Sequence, residues 1–78
     1  MRDPLDVQYA LQVEQLRDRR KELYDQIWQL RDQSYQLRDL AHEQTYGRAV
    51  GDPAQTRAQI KEIDREIDRL DREERQVH

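Results

Sequence analysis

The four residues that interrupt helices divide this chain into two long unbroken segments. The only prolines are Pro4 and Pro53, and the only glycines are Gly47 and Gly51. Glycine and proline are the residues that the interior of a helix tolerates least, so their absence from both segments permits two continuous helices. Gly47 also suits the left-handed position that commonly follows the last turn of a helix.

Capping residues predict where both helices begin. Asp3 and Asp52 each precede a proline, which is typical of a cap followed by the first helical position. We therefore predict a first helix over 4–46, a loop over 47–52 and a second helix over 53–76. At ~1.5 Å per residue the helices would be roughly 65 Å and 35 Å long. Because so short a loop usually joins antiparallel neighbours, the expected fold is all-α.

Apolar residues recur at heptad positions in both segments, which is the pattern of a coiled-coil seam. Folding the chain at the loop pairs residues of the two seams whose residue numbers add up to 97. The predicted layers are Ala41 with Thr56, Leu37 with Ile60, Ser34 with Ile63, Leu30 with Ile67, Ile27 with Leu70, Leu23 with Glu74, and Arg20 with Val77. The sequence thus predicts one domain over 1–78, an antiparallel two-helix coiled-coil hairpin with a long first helix.

The first helix is predicted to outlast the second by about 15 residues, or roughly 23 Å. The apolar seam nevertheless continues through this N-terminal overhang at Leu5, Tyr9, Val13 and Leu16. Since nothing else in the hairpin would cover these side chains, we expect them to dock on a second copy or on another protein. The alternative is a frayed terminus.

An aromatic stripe follows a second face of the first helix. The stripe consists of Tyr24, Trp28 and Tyr35, and Ala10 and Tyr46 lie on the same side of the helix. This side is roughly 110° around the helix axis from the seam. Aromatic side chains are favoured anchors at interfaces. We expect two hairpins to bury this stripe as a four-helix bundle; a foreign partner or plain exposure are the alternatives.

Three polar residues interrupt the seam, namely Arg20, Ser34 and Glu74. Polar groups at seam positions tend to fix register and partner number. Arg20 and Glu74 fall one layer apart and are therefore expected to pair. The alternative is that these positions lie near an open end of the hairpin and are solvated.

The charge balance does not favour nucleic-acid binding, because the chain has 14 basic and 17 acidic residues. Basic clusters do occur, at Arg17, Arg19, Arg20 and Lys21 and at Arg65, Arg69 and Arg72. Acidic residues interleave both clusters at spacings that allow ion pairs within a helix. A dimer of such hairpins resembles the Rop type of RNA-binding four-helix bundle in architecture, without a shared motif. A nucleic-acid-binding regulator is therefore the alternative function.

No residue pattern points to catalysis, a metal or another cofactor. The chain has no cysteine, its two histidines, His42 and His78, are far apart in sequence, and it contains no glycine-rich phosphate loop. No long apolar run predicts a membrane span or a signal peptide, so a cytoplasmic protein is expected. The predicted function is a non-catalytic protein-interaction module that acts as a homodimer, such as a small adaptor, assembly factor or inhibitor.

Overall fold

The computed structural model describes residues 3–76 and contains two α-helices, α1 (Pro4–Thr45) and α2 (Pro53–Gln76), packed against each other. No strand occurs in this part of the chain. The predicted all-α hairpin with a long first helix is confirmed. Helix α1 ends one residue earlier than predicted.

Both helices begin at the predicted aspartate caps. An Asp3 carboxylate oxygen accepts a hydrogen bond from the Leu5 backbone N–H at 3.1 Å, and Asp52 accepts one from the Ala54 backbone N–H at 2.9 Å. These bonds satisfy backbone donors that the first turn of a helix leaves without a partner. Each proline then occupies the first helical position, where its missing N–H has no cost.

The C-terminal end of α1 closes through the predicted left-handed glycine. Gly47 has φ of 71°, and the Arg48 backbone N–H donates to the Glu43 carbonyl at 2.8 Å. This six-to-one hydrogen bond is the mark of a Schellman cap, which turns the chain sharply away from the helix axis. The turn allows α2 to fold back along α1.

The side chain of Gln44 ties the loop to both helices. Its amide N–H group donates to the Val50 carbonyl at 3.2 Å, and its carbonyl oxygen accepts from the buried Thr56 hydroxyl at 2.6 Å. Gly51 lies directly against this amide, with φ of 122°. The loop therefore has a defined conformation that sets the register of α2.

The core is a narrow strip of seam residues between the helices. Its buried members are Leu23, Ile27, Ile67 and Leu70, with Leu30 and Ile63 packed partly buried against them. All six stand at predicted seam positions. Because one helix–helix contact buries only one face of each helix, most of the surface of α1 stays open to solvent.

Polar contacts across the hairpin are consistent with the predicted register. The contacts are Arg19 with Glu73, Arg20 with Glu74, Arg31 with Asp71, Arg38 with Asp64, and Ser34 with Asp64. The residue numbers of the contacting pairs add up to values between 92 and 102, a range that brackets the predicted sum of 97. Val77, the predicted partner of Arg20, lies outside the described residues, as does His78.

The described chain is a rod of 69 × 16 × 12 Å with a radius of gyration of 19.4 Å. A compact domain of this length would have a radius of gyration near ~11.5 Å. The elongation follows from a long α1 to which only one shorter helix is attached.

Candidate protein-interaction surface

Helix α1 carries an uncovered aromatic face, defined by Tyr24, Trp28 and Tyr35. These side chains are 54%, 52% and 65% exposed. The rings of Tyr24 and Trp28 meet edge to face with centroids 6.0 Å apart, and the Arg31 guanidinium stands 5.8 Å from the Trp28 ring. Such neighbours hold the aromatic rings in place without covering them.

The aromatic face stays open because α2 packs elsewhere on α1. Helix α2 contacts the heptad seam, which includes the fully buried Leu23 and the buried Ile27. At about 100° per residue, Tyr24 and Trp28 project roughly 100° away from those seam neighbours. Within the described residues α2 has no exposed large hydrophobic side chain, so the free apolar surface of the hairpin belongs mainly to α1.

The N-terminal overhang projects past the end of α2. Leu5, Tyr9 and Leu16 are at least half exposed, whereas Val13 is partly buried. The ion pairs of α1 with Glu73 and Glu74, close to the end of α2, start only at Arg19 and Arg20, so the residues before them extend beyond the two-helix part. The structure thus places all four predicted overhang residues on one unpartnered helical segment.

Several exposed apolar residues were not predicted as interface residues. They are Val7, Leu11, Leu40 and Val50. Tyr46, predicted to share the bearing of the aromatic face, is also exposed and lies beside His42, with ring centroids 4.8 Å apart. Val7, Leu11 and Leu40 lie off both the heptad seam and the side of α1 that carries the aromatic face, and Val50 lies in the loop, which is why helical periodicity gave no signal for them.

Ser34 and Asp64 form a polar layer inside the seam. The buried Ser34 hydroxyl donates to an Asp64 carboxylate oxygen at 3.0 Å, and the Arg38 guanidinium donates to the other at 3.1 Å. The prediction identified Ser34 but missed both of its neighbours. They flank the heptad positions, where charged residues of a coiled coil commonly pair across the seam.

Arg20 and Glu74 pair as expected, with 3.3 Å between the Arg20 Nε and a Glu74 carboxylate oxygen. Beside them, the Arg19 guanidinium lies 2.5 Å from Glu73, whose hydrogen bond and charge raise the pKa of Arg19. Both arginines remain exposed, so the ion pair between the helices is in contact with solvent. Both alternatives considered for Arg20 and Glu74, pairing and solvation, therefore apply.

Many of the basic residues are engaged by carboxylates of the same chain. Arg19 and Arg20 of the first basic cluster bind α2, while Arg69 of the second binds Glu66, whose pKa this hydrogen bond lowers. A guanidinium held by a carboxylate is less available to a phosphate, because the carboxylate must first be displaced. These pairings do not favour a nucleic-acid surface.

The described residues contain no cluster of three or more histidine, cysteine or acidic side chains arranged to hold a metal ion. Over the same residues, neither helix has an apolar stretch of the length and hydropathy needed to cross a membrane.

Comparison with known proteins gives no relative from which a function could be transferred: no family model, no curated protein and no solved structure matches the chain.

Proposed function

We propose that this chain is a non-catalytic protein-interaction module that acts as a homodimer through the aromatic face of α1. The observation that carries the proposal is the alignment of Tyr24, Trp28 and Tyr35 on one face, each more than half exposed in the isolated hairpin. Three aligned aromatic rings form an apolar patch of the kind that marks an interaction site. Two edge-to-face rings already ordered on a rigid helix lose little conformational entropy on binding.

A second copy of the hairpin is the simplest occupant of this face. An isolated hairpin buries only a narrow seam, and a dimer adds a second apolar contact to every α1. Because α2 offers no exposed large hydrophobic side chain among the described residues, the contact forms between the two α1 helices. The product is a four-helix bundle with the aromatic rings in its core.

The N-terminal overhang provides a second contact surface, for another protein. Leu5, Tyr9 and Leu16 present apolar area on a segment that α2 does not reach. An amphipathic helix that inserts into an apolar groove of a partner is a recurrent mode of recognition. An adaptor, assembly factor or inhibitor would use the hairpin in this way, an assignment that rests on architecture alone.

Replacement of Trp28 by aspartate tests the proposal. We expect Trp28→Asp to shift the sedimentation coefficient from that of a dimer to that of a monomer and to keep a helical circular dichroism spectrum. Gln29→Asp is the matched control, because it adds the same charge on an exposed neighbouring position that lies on neither the seam nor the aromatic face. Sedimentation that Trp28→Asp leaves unchanged would contradict the proposed interface.

A further inference from the structure

Two residues of opposite charge flank the aromatic face, three positions before Tyr24 and four positions after Tyr35. Lys21 precedes it and Asp39 follows it, each nine positions from Leu30. The two charges are 18 residues apart, which equals about five full helical turns and places them on the same side of α1. This side of α1 thus has Lys21 at one end and Asp39 at the other, with the aromatic rings and Asp32, which accepts a hydrogen bond from Gln36, between them.

Neither charge is used within the part of the hairpin that the structure describes. Lys21 and Asp39 form no ion pair and no hydrogen bond with the described residues, and both are exposed. The neighbouring Arg19 and Arg20, by contrast, both engage carboxylates of α2. Lys21 and Asp39 are therefore available to a partner on the uncovered side of α1.

We propose that two copies pack their α1 helices antiparallel through the aromatic face, about a twofold axis that crosses this face at the level of residue 30 along the helix; the Leu30 side chain itself points the other way and packs against the core with α2. This arrangement places Lys21 of each copy next to Asp39 of the partner subunit. The inference rests on the proposed homodimer. In a twofold interface a contact of one residue with another is repeated with the roles exchanged, so both ends of the interface gain an ion pair. A parallel pair of helices would instead place like charges together, which is unfavourable.

The aromatic residues fit the same symmetry. Tyr24 lies six positions before Leu30 and Tyr35 five positions after it. An antiparallel packing therefore brings Tyr24 close to Tyr35 of the partner subunit, while the two Trp28 side chains approach each other near the axis. One register thus accounts for the charged ends and the aromatic centre together.

The surface at the end of α2 has space for the incoming residues. A shallow groove of about 340 Å³ is lined by Arg17, Arg20, Lys21, Tyr24 and Glu74. In the antiparallel dimer this groove receives Tyr35 and Asp39 of the partner subunit. Arg17 and Lys21 on its walls suit an acidic side chain, whereas Arg20 is already paired with Glu74.

The antiparallel dimer leaves the N-terminal overhang uncovered. The partner's α1 ends at its Thr45, which the twofold axis places opposite residue 15. Leu5 and Tyr9 therefore project beyond the partner at both ends of the dimer, which would be roughly 80 Å long at 1.5 Å per residue. Their occupant would be a different protein rather than the second copy.

Cross-linking between single-cysteine variants tests the arrangement. The chain has no cysteine of its own, so Lys21→Cys and Asp39→Cys each provide one thiol at an exposed site. When the two variants are mixed and treated with a short bismaleimide, we expect one Lys21→Cys chain linked to one Asp39→Cys chain. Two Lys21→Cys chains should not link, because their thiols would be roughly 27 Å apart.

The outcomes separate this inference from the proposed function. A dimer by sedimentation that links Lys21→Cys to itself, or that gives no mixed product, overturns the antiparallel packing and leaves the homodimer standing. A monomer at high concentration overturns both.

Charge reversal provides an independent test. We expect Lys21→Asp and Asp39→Lys each to weaken the dimer by roughly tenfold, because each variant places two like-charge contacts in a twofold interface. The double variant restores opposite charges and should recover the wild-type dissociation constant. Lys61→Asp, on the exposed side of α2, is the matched control and should have no such effect. Failure of the double variant to recover binding would overturn the pairing.

Discussion

The Ser34 hydroxyl donates a 3.0 Å hydrogen bond to the Asp64 carboxylate in the middle of the helix pair, at a seam position where the heptad pattern otherwise places apolar side chains. Ser34 is buried, and Arg38 binds the second oxygen of the same carboxylate. Polar layers of this kind favour one alignment of two helices over others at some cost in stability.

Removing Asp64 should destabilise the hairpin more than removing the Ser34 hydroxyl. Ser34→Ala deletes one hydrogen bond and should lower the free energy of unfolding by about 1 kcal/mol. Asp64→Ala leaves the buried hydroxyl and Arg38 without this partner and should cost about 1–3 kcal/mol. Urea unfolding followed by circular dichroism measures both values. Equal stability of the two variants, or the reverse order, would contradict the role assigned to Asp64.

The two loop glycines should differ in their tolerance of a side chain. A Cβ atom at Gly51 would lie 2.5 Å from the Gln44 amide nitrogen, whereas a Cβ atom at Gly47 would meet nothing within 4 Å. Both residues have positive φ, so each substitution by alanine carries backbone strain of about 1 kcal/mol or more.

We therefore expect Gly51→Ala to lower the unfolding midpoint more than Gly47→Ala. In Gly51→Ala the Gln44 amide must also move, which should weaken its bonds to Val50 and Thr56. Loss of protection of the Thr56 region in hydrogen exchange would report that movement. If Gly47→Ala lowers the unfolding midpoint more, the hydrogen bonds of Gln44 to Val50 and Thr56 are not important for stability.

Acid titration should reveal the pair formed by Glu66 and Arg69 on α2. The hydrogen bond from Arg69 lowers the pKa of Glu66 below its usual value of 4.5. The stabilisation from this pair is therefore present above that usual value and is lost as pH falls through the lowered pKa. In carbon-detected NMR titration Glu66 should titrate below 4.5, and Arg69→Gln should raise its midpoint. An unchanged midpoint in the variant would show that the pair does not persist in solution.

The fold could be predicted from the sequence because its determinants are local. Pro4, Gly47 and Pro53 set the helix ends through steric and hydrogen-bonding effects that need no tertiary information. The seam was equally accessible, because Leu23 and Ile27 repeat with the period of a helix.

The polar contacts were harder to predict because they depend on side-chain reach rather than on periodicity. Asp64 stands next to the seam residue Ile63, and only the relative rotation of the helices turns it toward Ser34. Gln44 acts through a loop conformation that has no repeating pattern. The pairing proposed between Lys21 and Asp39 depends on which charges α2 leaves unused among the described residues, and helical periodicity carries no information about that.

Trimming the N-terminal overhang should separate its role from that of the aromatic face. In the proposed antiparallel dimer, residues 3–12 would lie beyond the end of the partner's α1, so removal of residues 1–12 should change the dissociation constant by no more than roughly threefold, or about 0.7 kcal/mol. Sedimentation equilibrium measures the constant, and full-length protein is the control. A much weaker dimer after trimming would indicate that the second copy binds the overhang.

The molar mass in solution tests the central claim most directly, namely that the aromatic face of α1 is covered by a second copy. The chain has a mass of 9.6 kDa. Light scattering across a concentration series should give about twice that value, with the Trp28 fluorescence of the dimer shifted to shorter wavelength as in an apolar environment. A mass of 9.6 kDa at the highest concentrations, with Trp28 fluorescing as in water, would contradict the account.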